Sequence, residues 1–128
     1  MRHEESKLQI AAVKWFDLTY PKLKLNLFSI PNEGSRTPAN GARMKAQGRR
    51  AGCADMVLAV PKISTNKDAV YSCNIIEHHG IFIEFKASKG KQNENQLAFQ
   101  KAVEAQGYAY VVIRSFDAFK ELIEEYLS

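Results

Sequence analysis

Two short apolar runs with charges set into them constrain this chain more than anything else in it. Asp55-Met-Val-Leu-Ala-Val60 is almost wholly apolar and stops at Pro61, and Ile81-Phe-Ile-Glu-Phe-Lys86 is the second run. Runs this short and apolar suit strands covered on both faces. Strand side chains alternate between faces, so Glu84 and Lys86 point one way while Ile83 and Phe85 point the other. A carboxylate and an ammonium on a central strand are costly unless paired, metal-bound or open to a cleft. Asp55 repeats the anomaly at the head of the other run. Alone, the Glu-x-Lys spacing also fits an ordinary surface pair on a half-exposed strand. The addition of Asp55 and the apolar context makes it a candidate site.

If the two strands are neighbours, Asp55 and Glu84 can share a divalent cation. A hard cation such as Mg²⁺, with Mn²⁺ as a substitute, takes oxygen ligands and completes its shell with water and substrate phosphate. There it would polarise a phosphodiester and acidify a water. Lys86 would orient the attacking hydroxide or stabilise charge in the transition state. Glu5, in the first helix, offers a third carboxylate, although an exposed first-turn glutamate favoured by the helix dipole explains it equally well. Gln96 lies in the helix after the Lys86 strand and can reach back towards the cleft, or simply cap that helix.

Charge is distributed unevenly. Residues 1–50 carry ten Lys/Arg against four Asp/Glu, and residues 51–128 carry eight against ten. A basic half beside an acidic pocket suits a phosphodiester substrate, and a solvated surface of uneven charge is the plainer explanation. Arg36, Arg43, Lys45, Arg49, Arg50, Lys89 and Lys91 are the candidate DNA-backbone contacts. Phe116, Phe119 and Tyr126 read as core, not as base-stacking residues. His78 and His79 lack useful metal spacing. Cys53 and Cys73 stand 20 apart with no CxxC partner, which argues for reduced thiols. No apolar run approaches the roughly 18–20 residues that span a bilayer, and the first residues lack a signal-peptide core. The expected location is the cytoplasm.

The 128 residues fit a single domain, 1–128. Spacing of Leu8, Ala11, Ala12, Trp15 and Leu18 predicts a helix over 4–18, and alternation predicts a strand over 22–30. A short helix begins near Pro38, and Gly48 and Gly52 break the segment around it. Residues 61–79 read as a loop or exposed hairpin. After the 81–86 strand and a turn at 87–92, Asn93 and Gln96 resemble a capping box opening a helix that Gly107 closes. A strand at 108–113 and a last helix capped by Ser115 follow, its apolar stripe made of Phe119, Leu122, Ile123, Tyr126 and Leu127. The result is a mixed α/β domain with a helix-covered sheet.

These residues also carry a family resemblance. Gly52-Cys-Ala-Asp55-Met-Val-Leu, Gly80-Ile-Phe-Ile-Glu84-Phe-Lys86, Gln96 and Gly107-Tyr-Ala-Tyr-Val-Val-Ile-Arg114-Ser together resemble the VRR-NUC domain, a branch of the PD-(D/E)XK nucleases. Glu5-Ser-Lys-Leu-Gln9 and Pro31-Asn-Glu-Gly-Ser-Arg36 look like stand-alone phage and prophage members, and the likeness runs over roughly residues 5–127. It implies an αβββαβ core. Asp55 and Glu84 would be metal ligands with the Phe85 carbonyl a third, Lys86 the catalytic lysine, Gln96 the supporting polar group and Glu5 the first-helix carboxylate. It further implies a homodimer that resolves Holliday junctions, in a bacterial host. A less selective duplex-nicking or restriction-like endonuclease and a non-catalytic DNA-binding module are the alternatives. Two departures stand out. Ala54 sits where proline is usual, which alters stiffness and not chemistry, and residues 62–78 look longer than in the shortest relatives.

Overall fold

The computed structural model describes residues 3–31, 37–66, 70 and 73–128. Helix α1 covers His3–Thr19 and ends beside Pro21 in a 3₁₀ helix, Pro21–Asn26. Strand β1 is Leu27–Ser29, helix α2 Pro38–Ala46 and strand β2 Met56–Leu58. Strands β3 (Lys62–Asn66) and β4 (Cys73–His78) form a separate antiparallel hairpin. Strand β5 (Ile81–Phe85), helix α3 (Glu94–Ala105), strand β6 (Ala109–Ile113) and helix α4 (Phe116–Tyr126) complete the chain. Leaving the hairpin and α2 aside, the order is the expected αβββαβ with a closing helix.

The main sheet runs β1-β2-β5-β6. Pairing is antiparallel from β1 to β2 and from β2 to β5, and parallel from β5 to β6. A parallel pair needs a long crossover, which α3 supplies. Its start is a true capping box: Asn93 accepts from the Gln96 backbone N–H while the Gln96 side chain accepts from the Asn93 N–H. Gly107 ends it at φ +88, and a side chain there would also strike the His79 ring. Ser115 caps α4 by accepting from the Ala118 N–H.

One sheet face, with Met56, Leu58, Ile81, Ile83, Phe85 and Ile113, packs against Ala12 and Phe16 of α1 and Phe119, Ile123 and Tyr126 of α4. Phe119 is fully buried, its ring 6.0 Å from both Phe85 and Trp15. Phe116 sits at the rim beside Trp15. The other face lies under α3. There Phe82 meets Phe99 and Tyr108 edge-on at 5.2 and 5.4 Å.

The structure departs from expectation in two places. Residues 22–30 do not form one strand. Pro21 fits the first turn of a helix, Leu23 N–H bonds the Tyr20 carbonyl, and only Leu27–Ser29 pairs. The Leu23/Leu25 alternation was misleading, since Leu25 is 90% exposed. The buried stripe of α1 also differs. It runs through Glu5, Ala12 and Phe16, with Leu8 and Trp15 partly covered, while Ala11 and Leu18 face solvent. Burial of Glu5 requires a polar destination at that end of the helix. The segment expected as loop or hairpin is the β3–β4 hairpin. Its base is tied to α4 by the Tyr126 hydroxyl donating to the Val60 carbonyl at 2.7 Å and the Lys62 ammonium to the Glu125 carbonyl at 2.6 Å.

Phe119→Ala opens a cavity between α1, α4 and β5, with little freedom to collapse. Unfolding free energy should fall by about 3–5 kcal/mol. A urea titration followed by circular dichroism checks this, and a loss under about 1 kcal/mol would mean the core is not organised around this ring.

Candidate active site

The register of β2 on β5 sets the site. Met56 faces Ile83, Val57 faces Phe82 and Leu58 faces Ile81. Continued by one residue, that register puts Asp55 across from Glu84. Opposed residues of an antiparallel pair project from the same face, and strand alternation adds Lys86 to it. Two carboxylates and one ammonium therefore emerge side by side on the α3 face. Asp55 is fixed there by accepting from the Phe85 backbone N–H at 2.7 Å. That bond carries the contact between the two strands past their last paired residues.

Glu84 is 4% exposed and Lys86 8%. Glu84 Oε2 accepts from Gln96 Nε2 at 3.1 Å, and Oε1 from the Tyr110 hydroxyl at 3.3 Å. Gln96 thus does both jobs that its position allowed: its oxygen completes the capping box while its nitrogen holds Glu84. Glu5 is buried, and its carboxylate accepts from the Ala87 N–H at 3.2 Å. The first turn of α1 is therefore aimed at the end of β5, not at solvent. Among the described residues no group of three or more His, Cys, Asp or Glu side chains forms a metal-binding cluster. The close carboxylates are the pair, with Glu5 acting through its charge.

The electrostatics follow from this crowding. Burial raises the Asp55 carboxyl above its usual range, opposed by the Phe85 N–H and reinforced by the charge of Glu5. Glu84 rises to about 7, chiefly through burial and then through Asp55, with Lys86 and Tyr110 pulling it down. Two buried carboxylates beside a single ammonium resist full ionisation together.

These groups line a cleft of about 820 Å³. Its lining joins Glu5, Asp55, Glu84 and Lys86 with Lys45 in the last turn of α2, Arg49 and Arg50 just after it, and Asn93, Asn95 and Gln96 at the start of α3. Gly52, at φ +86, passes so close to α3 that a Cβ would lie 2.4 Å from the Asn95 carbonyl. Only glycine lets the loop before Asp55 approach the helix that carries Gln96. The remaining candidate DNA contacts fall elsewhere. Arg43 bonds Asn40 on α2 at 2.7 Å, and Lys89 and Lys91 are exposed in the turn after β5, outside the cleft lining. Arg36 lies outside the described residues.

Three contributors had escaped the sequence reading. Tyr110 reads as one more apolar strand residue until β5 and β6 are paired in register. Gln92 looks like turn filler, yet its amide reaches the Tyr110 hydroxyl at 3.4 Å. Arg114 braces the turn after Lys86 by donating to the Ala87 and Gly90 carbonyls at 3.0 and 2.5 Å. The available signal was the placement of Arg114 just past a strand expected to lie beside the Lys86 strand.

In chelator, Glu84→Gln should change the pH dependence of stability in a defined sense. The folded pKa of Glu84 lies above its unfolded value, so its contribution is fully present below about pH 4.5 and is lost as pH rises through about 7. The wild-type Tm should therefore fall relative to that of Glu84→Gln between about pH 5 and pH 8. Differential scanning fluorimetry reads this directly, and parallel curves would contradict it.

No family model matches the chain, and no curated protein matches it. Among solved structures, a VRR_NUC domain protein superposes with a TM-score of 0.76 at 19% identity. That match covers 99% of this chain and 90% of the other. The helix-flanked mixed sheet superposes across nearly the whole molecule, so the chain has the fold of a VRR_NUC domain protein.

Proposed function

We propose that this protein is a Mg²⁺-dependent endodeoxyribonuclease that cuts branched DNA, with four-way junctions as its preferred substrate and a homodimer as its working form. The observation that carries the reading is the placement of Asp55 opposite Glu84, with Lys86 on the same face, in a cleft whose wall is basic. The fold shared with a VRR_NUC domain protein supports a nuclease-type activity.

The donor set fits a hard divalent cation. Asp55, Glu84 and the Phe85 carbonyl offer oxygen only, and Mg²⁺ commonly takes just one or two protein carboxylates. The crowded carboxylates are also only partly offset by the positive charge of Lys86, which leaves room for a cation. When bound, the cation supplies Lewis acidity toward the phosphate and toward a water. Asp55 and Glu84 would hold it, the first fixed by the Phe85 N–H and the second by Gln96 and Tyr110. Lys86, its stem packed near Gly90, presents its ammonium to the attacking oxygen or to the phosphate charge that grows in the transition state. Glu5 adds negative charge that favours the cation over an empty site. Lys45, Arg49 and Arg50 grip the DNA backbone, with Arg43, Lys89 and Lys91 extending the contact outside the cleft and Arg36 a further contact of the same kind. The preference for junctions and the dimer rest on the family resemblance and on the match between two-fold symmetry and two opposed strands. No helix among the described residues is long and apolar enough to cross a membrane.

Lys86→Ala should keep the fold and DNA affinity and lose at least about 10²-fold in cleavage rate, the scale of one aimed electrostatic group. The assay uses a synthetic four-way junction and a linear duplex of matched sequence, with and without Mg²⁺. Symmetric, cation-dependent cuts in the junction alone are expected. Equal cutting of both substrates would assign the less selective endonuclease, and tight binding without cleavage would assign a DNA-binding module.

A further inference from the structure

We infer that Tyr110, oriented by Gln92, is a positioning residue that sets the affinity of the Asp55–Glu84 pair for a divalent cation. The inference rests on the cation-dependent reading above and deepens it.

Parallel pairing of β5 with β6 sets Tyr110 beside Phe82 and Val112 beside Glu84. Paired residues share a face, so Tyr110 lies under α3 one step along the strand from Glu84. Its hydroxyl reaches Glu84 Oε1 at 3.3 Å, while Gln96 holds Oε2 at 3.1 Å. A phenol has a single proton to give. Gln92 decides where it goes. Its amide nitrogen donates to the Gln100 side-chain oxygen at 3.0 Å and to the Tyr110 oxygen at 3.4 Å. With a donor already on the phenolic oxygen, the Tyr110 proton is left to point at Glu84.

Glu84 is therefore held at both oxygens by neutral donors. A neutral donor fixes the carboxylate plane without cancelling its charge, unlike an ion pair. A carboxylate has about four lone-pair sites, so two bonds leave capacity on each oxygen for a cation. Packing alone does not account for the hydroxyl. The Tyr110 ring sits 6.3 Å from Phe99, a contact that phenylalanine would keep. Groups that orient a metal ligand in this way typically alter affinity or activity by 10–100-fold when removed.

The test is calorimetric titration of the DNA-free protein with MnCl₂ and with MgCl₂, comparing wild type, Tyr110→Phe and Gln92→Leu. Tyr110→Phe should bind the cation about 10-fold more weakly with an unchanged urea midpoint. Gln92→Leu should show a smaller loss in the same direction, since the hydroxyl is present but free to turn. In the junction assay, the cation concentration for half-maximal cleavage should rise by the same factor, and the rate at saturating Mg²⁺ should recover. Equal cation affinity of wild type and Tyr110→Phe would overturn the inference while leaving the nuclease reading intact. Weaker binding that only tracks a lowered urea midpoint would also overturn it, by assigning the hydroxyl to folding. Absence of any cation binding by the wild type would overturn the nuclease reading and this inference together.

Discussion

The antiparallel pairing of β2 with β5 is the constraint on which the site depends. Three residue pairs fix it, and the Asp55–Phe85 hydrogen bond extends it past the end of β2. A slip of one residue would turn every side chain of one strand to the opposite face. Met56 and Leu58 would leave the α1/α4 core, and Asp55 would no longer stand beside Glu84. The same register therefore fills the core on one face and assembles the acidic pair on the other. Stability of the fold guards the geometry of the site, because the misregistered form loses apolar burial.

The acidic pair itself works against folding. Two carboxylates meet where burial already disfavours their charge, and Lys86 offsets only part of that. The surroundings hold them in place by neutral hydrogen bonds from Gln96, Tyr110 and the backbone. Helix α3 is central to this. Its capping box fixes its first turn, Gly52 lets the loop before Asp55 lie against it, and Gln96 joins the two through one amide. Such crowding of buried carboxylates is a mark of functional sites, and the proposed cation would relieve it.

Much of this was legible in the sequence because it is local. Strand alternation puts Glu84 and Lys86 on one face, Asn93 and Gln96 are spaced for a capping box, and Ser115 precedes a clear apolar stripe. Glu5 was only half legible. Its helical position could be read, but its direction depends on how α1 crosses the sheet. Tyr110, Gln92 and Arg114 were not legible, since each acts through the β5–β6 register or a turn folded back over 18 to 27 residues of chain. The strand expected over 22–30 failed for a related reason. Alternation in Lys22-Leu-Lys-Leu25 describes a half-buried surface only if a partner covers it, and none of the sheet reaches Leu25.

The most direct measurement is a crystal of the protein soaked in MnCl₂, with diffraction collected for the anomalous signal of manganese. The account predicts an anomalous peak bounded by one oxygen of Asp55 and one of Glu84, lost in Asp55→Asn. A saturated crystal with no peak between those two carboxylates, or with its peaks elsewhere, would contradict it.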